Sequence, residues 1–347
     1  MTIDARCKPL ASQLLGPFVR LDNGNVLAID DKSTFVSHDG GQSWSNPRPL
    51  FQPDRKVTVS RERALLKTRN GVIILGFANM DEKHWTWKDE LRDAPGARLP
   101  TYVMRSLDGG KTWQDLQKMH DEWTGCERDM IQTKAGRVIL SSMKFLHNPG
   151  RHSVITYSTT DDGLTWTPGN LIDLGGVGHH GGATEATLTE LSDGRIWMLI
   201  RTNWGEFWSG YSHDGGKFWR ILKPSGIPTS SAPALLKRLK SGRLLLAWNR
   251  PFPEGKDTWP KIGGNGLWSE VPVSNHREEL SIAFSEDEGK NWTKPAVIAR
   301  RAKTSIAYPY VFEYQPGELW LTTMQGGLRV QVREKDFVSS QEPVQDR

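Results

Sequence analysis

An eight-residue phrase recurs five times along the chain: SHDGGQSW at 37–44, SLDGGKTW at 106–113, TTDDGLTW at 159–166, SHDGGKFW at 212–219 and SEDEGKNW at 285–292. Self-similarity at such a spacing marks a repeat architecture, in which each copy punctuates one supersecondary unit. Upstream of each phrase lies a second recurring element, two apolar runs around a tight turn: FVRLDNGNVLAI, ALLKTRNGVIILGF, DMIQTKAGRVILSS, ATLTELSDGRIWMLI and ALLKRLKSGRLLLAW. A sixth copy, YVFEYQPGELWLTTM at 310–324, has no phrase after it. Apolar and β-branched flanks around a glycine turn read as hairpins. A third strand leads into the phrase (TYVMRS, SVITYS, FWSGYS, LSIAFS) and a fourth follows it. Six such units predict an all-β chain, a six-bladed β-propeller of four-stranded antiparallel blades, with residues 1–347 as one domain. Blade six is expected to be completed by the N-terminal segment or by the tail after Arg333.

Within the phrase, Asp39, Asp108, Asp161, Asp214 and Asp287 are placed to accept from nearby backbone N–H groups, and glycine permits the bend. The tryptophan is expected to pack between strands of its own blade. This is a mechanical role, so these aspartates are not catalytic candidates.

Composition excludes several classes. Two cysteines, Cys7 and Cys126, give neither a disulfide framework nor a cysteine-rich zinc site. No apolar run is long enough for a membrane helix. The net charge of +5 comes from bases scattered among nearly as many acids, which argues against a nucleic-acid surface and is compatible with an anionic small substrate. The DGG turns lack the lysine-serine/threonine ending and strand-to-helix setting of a phosphate loop, and no cofactor is expected. His147, His152, His179 and His180 form no recognised metal pattern, and no metal is expected. The opening residues MTIDARCKPLASQLLGPF have an early acid and no continuous apolar stretch, unlike a secretory leader. A cytoplasmic protein and a processed secreted or periplasmic form both remain open, as does the oligomeric state.

The repeats disagree where a site would be. Counting nine residues back from each hairpin glycine gives Leu15, Glu62, Glu127, Glu185, Pro233 and Tyr308, at the start of the innermost strand of each blade. A structural role common to all blades would favour one residue type. Three carboxylates in consecutive blades and a tyrosine in the last instead make Glu62, Glu127, Glu185 and Tyr308 catalytic candidates, since converging carboxylates near cations can be held at different pKa values. A solvated rim, or pairing with neighbouring arginines, is the plainer reading of Glu62 and Glu127. Arg201, Arg277 and Arg329, with Arg61, Arg63 and Arg128, are candidate anion binders, and His180 lies within reach of the same pocket. Trp204 and the other tryptophans of the insertions (Trp85, Trp87, Trp123, Trp208, Trp259, Trp268) are candidate sugar-stacking faces.

At this point the chain resembles the sialidase superfamily, the BNR/Asp-box propellers, over nearly its whole length. In retaining sialidases an arginine triad holds the substrate carboxylate, a glutamate assists a tyrosine nucleophile, and an aspartate is acid and base. By that resemblance Glu185 before TLTELSDGR is the assisting glutamate, Arg201 after WMLI a triad arginine, Tyr308 in AYPY the nucleophile and Arg277 a further triad member. The chain departs from the pattern at its start: the usual F/Y-R-I-P arginine is replaced by Leu15 in LLGPFVRLDNG, and only Pro17 survives. No clear acid/base aspartate follows, Asp30 and Asp31 being candidates by region. The resemblance implies an exo-acting glycoside hydrolase that removes a terminal acidic sugar such as sialic acid from a glycan. The extra glutamates leave room for a carboxyl pair, Glu185 with Glu127 or Glu62. A noncatalytic carbohydrate-binding propeller and a lyase acting on a uronate-containing glycan, with Tyr308 or His180 as base, are the alternatives.

Overall fold

The computed structural model of the protein describes residues 1–338, and the tail beyond Val338 lies outside them. Six four-stranded antiparallel sheets are arranged as a β-propeller. Blade one runs from Phe18–Arg20 to Arg48–Pro49, blade two from Val59–Lys67 to Gln114–His120, and blade three from Asp129–Gln132 to Thr167–Pro168. Blade four runs from Thr184–Glu190 to Ile221–Pro228, and blade five from Leu235–Arg238 to Ala296–Arg300. Blade six takes Ala307–Gln315, Glu318–Gln325 and Arg329–Arg333 from the chain's end and its fourth strand, Lys8–Pro9, from the beginning. Thr2–Ile3 adds a fifth strand to blade five. The N-terminal segment therefore closes the ring, the first of the two expected sources.

The hairpins form as their sequences direct. In blade one the Leu21 N–H donates to Asn25 O (2.8 Å) and the Gly24 N–H to Leu21 O (2.9 Å), with Gly24 at φ 85°. That is a type I turn closed by a left-handed glycine, the three-residue hairpin loop that glycine favours. Blades two to five repeat it around Gly71, Gly136, Gly194 and Gly242.

The phrase turns also repeat. Ser37 donates to Asp39 Oδ1 (2.8 Å) and accepts from the Gly41 N–H (2.7 Å), while the Ser43 N–H donates to Asp39 Oδ1 (2.9 Å). The same bonds are made around Asp108, Asp161, Asp214 and Asp287. One expectation is corrected: the phrase joins neighbouring blades. A Cβ on its second glycine position (Gly41, Gly110, Gly163, Gly216, Gly289) would come within 3.0 Å of Trp320, Leu27, Ile74, Ile139 and Trp197, each on the second strand of the preceding blade. The tryptophans follow, Trp113 donating to Thr34 of blade one (2.9 Å) and Trp219 to Thr156 of blade three (2.9 Å). Six of the buried apolar clusters accordingly lie between blades, one for each joint. That is how a radial array of sheets buries both faces of each.

Every inner strand starts at one end of the central channel, the end that also carries the connections between second and third strands. Two of these are long, residues 80–100 in blade two and 249–278 in blade five. The phrase turns lie at the opposite end. Among the described residues no helix is long and apolar enough to cross a membrane.

Candidate functional site

Glu185 and Tyr308 begin the inner strands of blades four and six, and both have left-handed backbones, φ 41° and 62°. Non-glycine residues in that region are uncommon and concentrate where surrounding structure holds them for a purpose. In blade four the pairing slips between Thr184 and Thr187, so Glu185 sits in a bulge, a device that re-aims a side chain. The Tyr308 hydroxyl donates to Glu185 Oε1 at 2.8 Å, and Arg201 Nη1 donates to Glu185 Oε2. Arg201 Nη2 donates to Ser231 Oγ (2.8 Å), which donates in turn to Asn203 Oδ1 (2.7 Å). Arg277 Nη2 donates to the Ser231 carbonyl and Nη1 to Gln325 Oε1 (3.1 Å), with the guanidinium carbon 5.7 Å from the Tyr308 ring centre.

Electrostatics separates the two carboxylates of this cluster. Burial works to raise Glu185, but Arg201, the Tyr308 hydroxyl and Arg277 outweigh it and hold its carboxyl below the usual range. Half-buried Glu62 is raised, first by desolvation and then by the negative charge of Glu185, against the opposing pull of Arg128 and Arg61. Tyr308 is pushed well above a free phenol, mainly by burial and then by Glu185. His180 is lowered to about 3 by burial and by Arg201, so its imidazole is neutral at pH 7.

Glu127 does not join them. It is 0% exposed, accepts from Thr101 Oγ1 at 2.7 Å, and belongs to a polar network with Thr124, Ser142 and His120 between blades two and three. Its burial raises its pKa to about 8. The reason for this correction is local: Glu127 lacks the left-handed backbone of Glu185 and Tyr308, so equal counting from the turn glycine does not give equal side-chain direction. Its neighbour Arg128 is the one that reaches the centre, 5.8 Å from the Tyr308 ring and 5.1 Å from that of Tyr310, donating to the Pro309 carbonyl.

The remaining candidates divide. Arg63 is buried and donates to the Ser60 carbonyl (3.1 Å), while Arg61 is exposed. Arg329 is held by the carbonyls of Gln13 (2.9 Å) and Gly327 (3.0 Å), where it fastens the N-terminal segment to blade six. Trp204 packs on Trp208 at 5.5 Å. Trp85, Trp87 and Trp123 pack with Phe145 as the small core of the blade-two insertion, not as free sugar platforms. Asp30 caps its own turn through the Lys32 and Ser33 N–H groups, and Asp31 beside it is exposed in the turn between the second and third strands of blade one.

The insertions are laced into a wall around one side of the mouth. The Gly150 N–H donates to Arg92 O (2.8 Å), that of Gly178 to Gly150 O (3.0 Å), and those of His179 and His180 to Leu267 O (2.8 Å) and Trp268 O (2.9 Å). Gly178 permits this approach, since a Cβ there would lie 2.8 Å from the Trp268 backbone. Trp268 stacks on His180 with ring centres 4.8 Å apart. Ser231 and Gln325 are absent from the inner-strand comparison. Gln325 pairs opposite Ala307 at the end of its second strand as Arg201 pairs opposite Thr184, so comparing second-strand ends between blades would have found it.

The profile of the BNR repeat-like domain matches residues 28–321. The chain belongs to this family. Its fold is that of the sialidase superfamily. No curated protein matches the sequence of this BNR repeat-like chain. Among solved structures it is similar to a protein of unknown function from Dyadobacter fermentans (16% identity, 95% of each chain covered, TM-score 0.64). It is similar also to a Hadza microbial sialidase (16% identity, 93% of this chain and 66% of that one, TM-score 0.66). A third is the intramolecular trans-sialidase from Ruminococcus gnavus in complex with oseltamivir carboxylate (16% identity, 92% and 94% covered, TM-score 0.59). At such identity the likeness is one of fold.

Proposed function

We propose that the chain is a glycoside hydrolase that removes a terminal anionic sugar from a glycan, with Tyr308 as nucleophile. The observation that carries this reading is the Tyr308–Glu185–Arg201 chain of hydrogen bonds, held by two left-handed backbones at the head of the channel. A phenol at neutral pH is a weak nucleophile and needs a base within hydrogen-bond reach. Ionised Glu185 is that base. As the Tyr308 oxygen attacks the anomeric carbon, its proton passes to Glu185 Oε1 and the glycosidic C–O bond breaks. Glu62, whose carboxyl is pushed up from the ordinary range by burial and by the charge of Glu185, is the group placed to deliver a proton to the leaving oxygen. Water then attacks the glycosyl-tyrosine with Glu62 as base, and Glu185 returns the proton to Tyr308. Arg277 and Arg201 hold the sugar's carboxylate, a role supported by the carboxylate ligand of the Ruminococcus gnavus enzyme.

A binding module without turnover is the second reading, and the pairing of Arg201 with Glu185 favours it, since that pairing lowers the basicity of the carboxylate. The deciding experiment is a product-resolved mass-spectrometric screen of sialylated, uronate-containing and neutral glycans with wild type, Tyr308→Phe and Glu185→Gln. Release of an acidic monosaccharide that disappears in both variants is expected. Glycan binding without turnover would leave the binding module, and an unsaturated uronate product would indicate a lyase.

A further inference from the structure

We propose that the rear of the central channel is a binding site for a phosphate or sulfate group, separate from the Tyr308–Glu185 centre and independent of whether that centre turns over. Behind the cluster the channel opens into a cavity of about 360 Å³ lined by the inner strands of five blades. That volume falls in the range of small-molecule sites, ~300–1,000 Å³. Its charged lining is mostly basic, and the bases fall into two groups. Lys67 pairs with Asp22 (2.7 Å), Arg238 with Glu288 (2.6 Å), and Arg20 donates to the Tyr314 carbonyl (2.7 Å). Arg63, Arg128, Lys237 and Lys240 have no ion pair among the described residues.

The two carboxylates of the lining do not balance them. Asp129 Oδ2 accepts from Thr187 Oγ1 (2.6 Å) and the Leu188 N–H (2.8 Å), and Glu313 accepts from the Lys240 and Gly317 N–H groups. Arg128 is only 2% exposed, and with Nη2 on the Pro309 carbonyl its Nε and Nη1 meet no acceptor among the described residues. Arg63, 8% exposed, likewise leaves Nε unmet. Buried guanidinium donors without partners are costly and are usually answered by an anion. Two guanidinium groups and the Lys237 ammonium line the same cavity, more donors than a single carboxylate can take, and a tetrahedral oxyanion matches them. The walls beside these groups are apolar, with Phe18, Leu65, Leu235 and Val311 in the lining, so the cavity also accepts the body of a phosphorylated or sulfated sugar.

The test is calorimetric titration of the full chain at low ionic strength in a chloride buffer, with inorganic phosphate, sulfate and glucose 6-phosphate as probes. One site per chain is expected, with a dissociation constant below about 1 mM. Arg128→Met should abolish binding. Lys237→Ala, at a half-buried position whose side chain makes no ion pair among the described residues, should keep the fold and weaken binding by about tenfold. Arg277→Ala, on the other side of Tyr308, should leave it unchanged. Tighter binding of glucose 6-phosphate than of phosphate identifies an ester as the occupant, and equal or weaker binding identifies the free ion. No binding at about 10 mM of any probe, or binding that survives Lys237→Ala undiminished, overturns the proposal. Loss of binding in Arg277→Ala places the anion at the front of the channel and overturns it too.

Discussion

Tyr308 of blade six and Glu185 of blade four, 123 positions apart in sequence, are joined by a 2.8 Å hydrogen bond between phenol and carboxylate. Each occupies a backbone conformation that costs a non-glycine residue about 1 kcal/mol or more, and the joined pair is buried against Arg201. The arrangement thus fixes the carboxylate against the phenol before any ligand arrives, which is what the proposed base and nucleophile require.

Removing either partner should separate chemistry from stability. Tyr308→Phe is expected to lower kcat by about 10³-fold and to cost about 1 kcal/mol in urea unfolding. Glu185→Gln should lower kcat similarly but cost about 3 kcal/mol, because it strips the counter-charge from buried Arg201. Full activity in Tyr308→Phe would remove the nucleophile from the mechanism.

Glu62 is assigned the acid role on its raised pKa, and leaving-group dependence tests it. Glu62→Gln should slow natural glycosides by about 10²-fold or more, yet spare aryl glycosides whose phenols need no proton to depart. The alkaline limb of the pH–kcat profile, set in the wild type by loss of the Glu62 proton, should vanish in the variant. If Asp31→Asn rather than Glu62→Gln behaves this way, the exposed aspartate of the blade-one turn is the acid.

The phrase glycines give a paired test of the joints. Gly110→Ala is expected to cost about 3 kcal/mol, combining a left-handed alanine with a clash on Leu27. Gly109→Ala, equally left-handed but open to solvent, should cost about 1 kcal/mol. Urea midpoints compare them, and equal losses would remove the inter-blade contact from the account.

Glu127 makes stability depend on pH in an unusual direction. Its folded pKa of about 8 lies above the unfolded value of about 4.3, so its contribution is full below the unfolded value and is lost as pH rises towards 8. The slope should approach about 1.4 kcal/mol per pH unit in that window. Glu127→Gln, which mimics the protonated acid, should flatten the slope and leave the protein more stable than wild type at pH 8. Unfolding free energies at pH 5, 6.5 and 8 measure it.

The propeller was legible because its signals are periodic: five turn glycines and five phrases each do the same local job, and repetition multiplies a weak cue. The candidate cluster was reached by other routes: Glu185 and Tyr308 are departures from the inner-strand repeat, and Arg201 came in as an anion binder and through the family resemblance. What could not be read was direction. Glu127 and Glu185 stand at equal distances from their turn glycines, yet a bulge and one left-handed φ turn the second into the channel while the first is buried between blades. The tryptophans misled in the same way, because a spacing identifies the strand a ring leaves but not the neighbour it meets. Ser231 and Gln325 act through contacts that cross blades, which no comparison along inner strands reports.

The phrase glycine that seats each blade on the one before it has no copy in blade six, so the joint between blades five and six is made differently. There residues 2–3 edge blade five and residues 8–9 edge blade six, with Cys7 between them in the shared apolar cluster. One short strap therefore grips both sides of the single seam. Fraying at either blade leaves the strap anchored on the other, and the circle opens only when both grips let go together.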